Sequence, residues 1–94
     1  MRIVWAAEAL ADLEAILAYY HQEAGPRTAE AVEKRIVSEI VSLRPFPERI
    51  RVSARIPGAR ELVVSKLPYI VFLQATPEKI VVLNIVHTAR KFPT

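Results

Sequence analysis

The chain has no cysteine, only two glycines and only two histidines among its 94 residues. Without cysteine it has neither disulfides nor thiolate metal sites. Gly25 and Gly58 stand alone, which excludes a P-loop and a dinucleotide-binding fingerprint. His21 and His87 are far apart and have no accompanying cluster of carboxylates, so a metal site is not expected. We therefore expect neither a metal nor another cofactor.

Long apolar runs are also missing. No stretch approaches the roughly 20 apolar residues that a membrane helix needs, and the N-terminus carries charge, as at Glu8, too early for a secretory signal. We expect a cytoplasmic protein that does not enter the membrane. Its length predicts one domain spanning residues 1–94, and a hydrophobic content of 52% is ample for a compact core.

Positive charge is unevenly distributed, although the net charge is only +3. Residues 1–47 hold five basic and seven acidic side chains, for a balance of −2, whereas residues 48–94 hold eight basic and three acidic ones, for a balance of +5. Such asymmetry favours an anionic partner, either nucleic acid or an acidic peptide. A solvated basic surface without a role is the alternative.

Periodicity predicts two amphipathic helices after a short opening strand, Arg2-Ile3-Val4-Trp5. Spacings of three and four residues place one apolar set on a face of the first helix, and a second set predicts a helix from about Pro26 to Arg44. The first set is Leu10, Leu13, Ile16, Leu17 and Tyr20, and the second is Ala29, Val32, Ile36, Ile40 and Leu43. Gly25-Pro26 between the helices predicts an antiparallel hairpin.

Beyond Pro47 the period becomes two, which predicts strands. The stretches after Arg60, from Tyr69 and from Lys79 are rich in β-branched and aromatic residues, and Thr76-Pro77-Glu78 predicts a tight turn between the last two. Residues 49–59 fit either an edge strand or an extended arm. The fold class is therefore α+β, with the order β-α-α-β-β-β and the helices on one face of a small antiparallel sheet.

Arginine is the residue type left to carry function. Arg49, Arg51, Arg55 and Arg60 lie within a dozen residues, and Arg90-Lys91 follow the last strand. Guanidinium groups bind phosphate bidentately, so these residues are candidates for contact with a target or a phosphate. They also suit stabilisation of charge during phosphodiester cleavage.

Metal-free RNA cleavage additionally needs groups that accept and donate protons. The candidates are His87, Glu61, Lys66 and Tyr69. A structural role is the stronger expectation for three of them: a cross-strand ion pair for Glu61, a core aromatic for Tyr69 and a polar strand end for His87. The catalytic residues thus stay unknown, and a nuclease would use Arg60, His87 and Arg90, with Arg55 and Lys66 less favoured.

Several segments resemble the RelE/ParE superfamily of type II toxins. Trp5-x-x-x-Ala9-x-x-Asp12-Leu13-x-x-Ile16-x-x-Tyr19 is similar to that family's first helix. Pro57-Gly58-x-Arg60-Glu61-Leu62 and Pro68-Tyr69-Ile70-Val71-Phe72 resemble its middle strands, and Val82-Leu83-x-Ile85-Val86-His87-x-x-Arg90-Lys91-Phe92-Pro93 resembles its closing signature. The resemblance covers nearly the full length.

The resemblance implies a toxin that binds a cognate antitoxin, whose acidic, amphipathic C-terminal segment wraps it into a hetero-oligomer. The closing His-x-x-Arg-Lys-Phe-Pro is closer to ParE-like members, which are associated with poisoning DNA gyrase, than to RelE-like members, which cleave messenger RNA on the ribosome. A ParE-like, non-enzymatic toxin is thus the leading hypothesis, and a ribosome-dependent endoribonuclease is the alternative. Phe92 stands near the position where a catalytic tyrosine would help the RelE-like chemistry.

Antitoxin contacts are expected at apolar residues of the helices and of the strand from Tyr69. These are Leu13, Leu17, Tyr20, Ile36, Ile40 and Tyr69. One departure from the family pattern is Ala6-Ala7, where members often have a Ser/Thr-Pro pair; it predicts a first helix whose N-cap is weaker by about 1 kcal/mol.

Overall fold

The computed structural model describes residues 1–90 and 92. Its elements in chain order are β1 (Arg2–Trp5), α1 (Ala7–Ala24), α2 (Pro26–Val41), a 3-10 turn (Pro47–Arg49), β2 (Arg51–Val52), β3 (Arg60–Val63), β4 (Tyr69–Ala75) and β5 (Lys79–His87). No helix within this part of the chain is long and apolar enough to cross a lipid bilayer. The predicted order of elements is confirmed.

All strands belong to one five-stranded sheet with the order β1-β5-β4-β3-β2. The last three strands form the predicted antiparallel meander, whereas β1 pairs with β5 in parallel, with Ile3 opposite Ile80. The sheet is therefore mixed. The uncertain segment 49–59 contributes a two-residue edge strand, β2, which pairs with β3 in antiparallel.

Helix α2 has the inner face that its sequence predicts. Its apolar positions Ala29, Val32, Ile36 and Ile40 are buried, and Leu43 beyond it is buried as well. The helix ends at Val41, three residues before the predicted Arg44. Past Val41 the backbone tightens into three-residue turns, with the N–H groups of Leu43 and Arg44 donating to Ile40 and Val41, and Pro45 has no N–H with which to continue the helix. The Arg49 guanidinium donates to the free carbonyl of Ser42 at 2.8 Å.

Helix α1 is rotated slightly from the predicted orientation. Ala9 is 0% exposed and belongs to the core, whereas Leu10 is 46% exposed and does not. Ile16, Leu17 and Tyr20 pack against the core while remaining half-buried. As expected from the sequence, Ala6 at the N-cap makes no side-chain hydrogen bond. Both helices cover the same side of the sheet, where they meet Val71, Leu73, Ile80 and Val82.

The turns follow the sequence signals. Gly25 ends α1 and precedes Pro26 of α2 with φ of 94°, a left-handed conformation that favours glycine. Thr76 closes the β4–β5 turn, since its hydroxyl accepts the N–H groups of Glu78 and Lys79. The Cα trace has a radius of gyration of 13.0 Å, close to that of other domains of this length.

Candidate functional site: the helix-free face

The side of the sheet away from α1 and α2 has its own small apolar cluster. Ile70, Phe72 and Val86 are buried there, and Ile56, Leu83 and Phe92 pack partly buried against them. Side chains alternate between the two faces of a strand, so Glu61, which is paired with Phe72, lies on this side too. We call this surface the helix-free face.

Glu61 is 4% exposed and is the buried acid of this face. One carboxylate oxygen, Oε2, accepts the hydroxyl of Ser53 at 2.7 Å, and the other, Oε1, accepts the guanidinium of Arg51 at 2.9 Å. Arg55 Nε lies 3.9 Å from Oε2. Arg51 is also the direct cross-strand partner of Glu61. The prediction of a cross-strand ion pair is therefore confirmed.

Two opposing effects act on the ionisation of Glu61. Burial is the largest and raises the pKa of this carboxyl, because it disfavours the charged form. The hydrogen bonds from Ser53 and Arg51, with the charges of Arg51 and Arg55, stabilise the carboxylate and together hold its pKa below the usual value. Glu61 is thus an ionised anchor at neutral pH. It is a poor proton donor.

Arg55 and Arg90 flank a pair of aromatic rings on the helix-free face. The Arg55 guanidinium carbon lies 5.9 Å from the centroid of the Phe72 ring, and that of Arg90 lies 5.7 Å from the centroid of the Phe92 ring. The two rings are 5.4 Å apart and tilted by 35°. We call this arrangement the Arg55–Phe72–Phe92–Arg90 row. Each contact is within the range of a cation–π interaction.

Arg60 lies on the opposite side of the sheet. It is paired with Leu73, a core residue under the helices, and its guanidinium donates to the carbonyls of Ile50 at 2.7 Å and Glu48 at 3.3 Å. The expectation that Arg60 joins Arg55 and Arg90 is therefore wrong. Arg60 tethers the segment before β2 to β3.

The remaining predicted contact residues are distributed as follows. The Arg49 guanidinium binds Ser42 just after α2, so it is not part of the row. Arg51 has a side chain that is 65% exposed but is paired with Glu61. Lys91, which the sequence also assigns to the site, lies outside the described residues. Within residues 1–90 and 92, the basic groups that meet are thus Arg51, Arg55 and, across the aromatic pair, Arg90.

His87 and Tyr69 lie on the helix side of the sheet, opposite each other on neighbouring strands. Their rings make an edge contact at 5.7 Å, and Tyr69 makes a second one with Tyr20 at 6.5 Å. Burial, followed by the neighbouring Tyr20 and Tyr19 hydroxyls, raises the pKa of Tyr69 well above its ordinary value. His87 Nδ1 accepts the backbone N–H of Ala89 at 3.0 Å. The prediction of Tyr69 as a core aromatic is confirmed.

A nuclease constellation does not assemble from the candidate residues. Arg60 is paired with Leu73 of β4, and His87 is paired with Tyr69 of the same strand. Arg60 and His87 are therefore four residues apart along the strand direction, about 14 Å, and two strand spacings apart across the sheet, about 10 Å. Arg90 packs on Phe92 at the other face. Lys66 lies in the β3–β4 turn with a left-handed φ of 65° and is exposed.

The sequence did not predict the structural contacts that three residues make at this sheet. Ser53 links Glu61 to the chain after β2, and Asp12 and Glu39 hold backbone N–H groups of Ile85 and Ser65. Short-range signals do not reveal such contacts, since 26 and 73 residues separate the helix carboxylates from their partners. No group of three metal-ligating side chains occurs among residues 1–90 and 92.

A family model described as the ParE toxin of the type II toxin-antitoxin system parDE matches residues 3–92. The chain belongs to the ParE toxin family. This ParE-family toxin is also 32% identical over 92 residues to the Y4kP protein of Sinorhizobium fredii, which is named as a candidate toxin; the match covers 98% of the chain and 93% of Y4kP.

Two solved structures are similar to this chain. A chain of the chromosomal ParDE system from P. aeruginosa superposes on this ParE-family toxin with a TM-score of 0.83 and 28% identity, covering 93% of this chain and 95% of that one. The isolated E. coli RelE toxin superposes with a TM-score of 0.59 and 15% identity, covering 97% and 87% of the two chains. The RelE likeness shows a shared fold.

The apolar residues predicted to bind an antitoxin are mostly interior. Ile36 and Ile40 are 0% and 1% exposed, and Leu13 and Tyr69 are buried too. These four side chains fill the core between the helices and the sheet, so the fold does not expose them to a partner; their contact with an antitoxin stays a prediction. Leu17 and Tyr20 remain half-buried at the surface of this ParE-family toxin.

A shallow cavity of about 880 Å³ lies on the outer face of α2 and is lined by Glu30, Ala31, Glu33, Lys34, Arg35, Val37, Ser38 and Val41.

Proposed function

We propose that this ParE-family toxin acts in the cytoplasm by binding DNA gyrase through its helix-free face, and that a cognate antitoxin neutralises it. The observation that carries the proposal is the Arg55–Phe72–Phe92–Arg90 row. It combines two guanidinium groups with a half-buried aromatic ring, Phe92, on one surface.

The charge balance of the row favours an anionic partner. Glu61 is one carboxylate shared by Arg51 and Arg55, so this cluster keeps a surplus of one positive charge. No carboxylate of residues 1–90 and 92 forms a salt bridge with Arg90. Guanidinium groups bind phosphates and carboxylates bidentately, and both groups are available on a gyrase–DNA complex.

A binding mechanism is favoured over RNA cleavage by the placement of the proton-transfer candidates. Glu61 is held ionised, and burial keeps the Tyr69 phenol protonated. His87 lies on the face opposite the row. An acid–base pair that acts on one phosphodiester must lie within hydrogen-bond reach of the same substrate atoms. Glu61 lies on the helix-free face, whereas His87 shares the helix side with Tyr69, whose ring is buried.

The antitoxin is proposed to cover the helices. The cavity on α2 offers the apolar groups of Ala31, Val37 and Val41 together with Lys34 and Arg35. Glu30 and Glu33 line the same cavity, and Lys34 and Arg35 are paired with Glu30 and Glu39. The cavity therefore suits the apolar side of an amphipathic segment, and a disordered segment gains its order on binding. Leu17 and Tyr20 of α1, which are half-buried, offer further apolar groups on the helices. The resting form is then a toxin–antitoxin hetero-oligomer.

Supercoiling by purified gyrase tests the proposal. We expect the free toxin to inhibit supercoiling and an equimolar antitoxin to restore it, while the ribosome-bound messenger stays intact in a parallel primer-extension assay. Undiminished supercoiling at saturating toxin contradicts the gyrase target. New 5′ ends on the messenger, lost in Arg90→Ala, would instead favour the RelE-like endoribonuclease.

A further inference from the structure

The chain between β2 and β3, residues 53–59, forms an irregular arm that carries Arg55 onto the helix-free face. The arm is organised by one hydroxyl. Ser53 Oγ accepts the backbone N–H groups of Arg55 and Ile56, both at 3.0 Å. The same oxygen donates its proton to Glu61 Oε2 at 2.7 Å. Ser53 therefore connects the buried carboxylate of β3 directly to the backbone of Arg55.

The carboxylate holds Arg55 at two points. It fixes the backbone through Ser53, and it attracts the guanidinium directly, with Nε 3.9 Å from Oε2. Together these contacts place the guanidinium over the Phe72 ring. An arginine side chain has many rotamers, and a contact group that is held in its bound position loses less entropy on binding.

We infer that Glu61 is the positioning residue of the target-binding row: through Ser53 it locks the arm so that Arg55 is held over Phe72, ready to bind an anionic group of the partner together with Arg90. The inference rests on the proposed function for the partner. Glu61 itself is covered and does not contact the partner. Its effect is transmitted by the arm.

Hydrogen-bond chemistry makes Glu61→Gln the informative variant. A carboxylate accepts at both oxygens, and Glu61 uses one for Ser53 and one for Arg51. Glutamine has one accepting oxygen and one amide that only donates. It can therefore serve Ser53 or Arg51 but not both, and it removes the charge that attracts Arg55.

The matched control is Glu39→Gln. Glu39 also holds a loop, since both its oxygens lie 3.1 Å from the backbone nitrogen of Ser65, but it belongs to α2 on the helix side. The variant makes the same chemical change at a loop anchor away from the row. Ser53→Ala and Ser53→Thr form a second pair, since threonine keeps the hydroxyl and alanine removes it.

The experiment combines a structural and a functional readout on the full chain. The structural readout is the NMR resonance of the Arg55 Nε–H group, which we expect the nearby Phe72 ring to shift upfield. The functional readouts are gyrase inhibition and growth arrest on induction, measured in a double-mutant cycle of Glu61→Gln and Arg55→Ala. Circular dichroism confirms that each variant is folded.

We expect Glu61→Gln to lose the ring-current shift and to weaken inhibition about tenfold, as Arg55→Ala does, which corresponds to about 1.4 kcal/mol. The double variant should be no weaker than either single variant, because both remove the same contact. Glu39→Gln should keep the shift and the inhibition. If Glu61→Gln does not fold, the loss in Ser53→Ala and its recovery in Ser53→Thr decide the same point.

Additive losses in the cycle, or full inhibition by a variant whose Arg55 resonance has moved, would overturn the inference. The failure of the proposed target looks different. In that case the wild type arrests growth without inhibiting gyrase, and the same cycle read on growth arrest still decides whether Glu61 acts through Arg55.

Discussion

Asp12 Oδ2 on α1 accepts the backbone N–H of Ile85 on β5 at 2.9 Å. Strand β1 pairs only with residues 79–82 of β5, so Ile85 lies where this outer edge is open. Glu39 on α2 does the same for Ser65, just past the end of β3. Each helix therefore closes one open end of the sheet with a carboxylate. Unpaired edge N–H groups invite strand addition, and these contacts reduce that risk.

Removal of the Asp12 carboxylate should destabilise the fold. Asp12→Ala leaves the N–H of Ile85 without its charged acceptor, so we expect the free energy of unfolding to fall by about 1.5–3 kcal/mol. Urea denaturation measures it. Glu14→Ala, on an exposed position of the same helix, is the control and should change stability by less than about 0.5 kcal/mol. Equal losses in both variants would contradict the assigned role.

Acid should protonate Glu61 and remove its contribution to the stability of the fold. The pKa of this carboxyl is lower in the folded protein than its ordinary value of 4.5, so its contribution to stability is full above that value and is lost as the pH falls through the folded pKa. We expect the stability difference between wild type and Glu61→Gln to be constant near neutral pH and to shrink below pH 4.5. Denaturant titrations at several pH values measure it. A difference that grows on acidification contradicts the ionised anchor.

Ile36 should behave as a core residue. Ile36→Ala opens a cavity at a 0% exposed position, so we expect a loss of about 2–5 kcal/mol in unfolding free energy. Leu10→Ala, at a 46% exposed position, should cost much less. Thermal unfolding compares the two. If Ile36→Ala instead keeps its stability and weakens antitoxin binding, Ile36 contacts the antitoxin, as expected from the sequence.

Arg60 should be a structural residue without a role in toxicity. Arg60→Ala removes the donors to the carbonyls of Ile50 and Glu48, so we expect a stability loss of about 1–3 kcal/mol. Growth arrest per molecule of folded protein should not change. Expression is induced well below the melting temperature of the variant, and the soluble toxin is quantified, so that a loss of stability is not mistaken for a loss of toxicity. Loss of arrest by a folded Arg60→Ala would favour the nuclease alternative.

The fold could be predicted because its signals are local. The inner face of α2 follows the helical period from Ala29 to Ile40, and one apolar stripe fixes which side packs on the sheet. For α1 the same rule missed by one position. Ala9 is buried in the core although it is small, and Leu10 is exposed. The orientation of α1 is also set by Asp12, which accepts a hydrogen bond from the backbone of Ile85 at the edge of β5.

The site was only partly predictable for two physical reasons. Neighbouring residues of a strand face opposite sides, so Arg60 and Glu61 cannot both serve one face, and the alternation of β3 already contained that information. The arm is different. Its conformation depends on Ser53, Glu61 and Arg51 meeting across two strands, and no periodic pattern in the sequence encodes polar contacts of that kind.

Gyrase supercoiling in the presence of two double variants is the most direct test of the helix-free face as the target-binding surface. Arg55→Ala with Arg90→Ala removes two positive charges from the row, and Arg27→Ala with Arg44→Ala removes two from exposed positions outside it. We predict that the first pair abolishes inhibition and the second inhibits like wild type. Inhibition that survives in the first pair, or falls equally in both, would contradict this account.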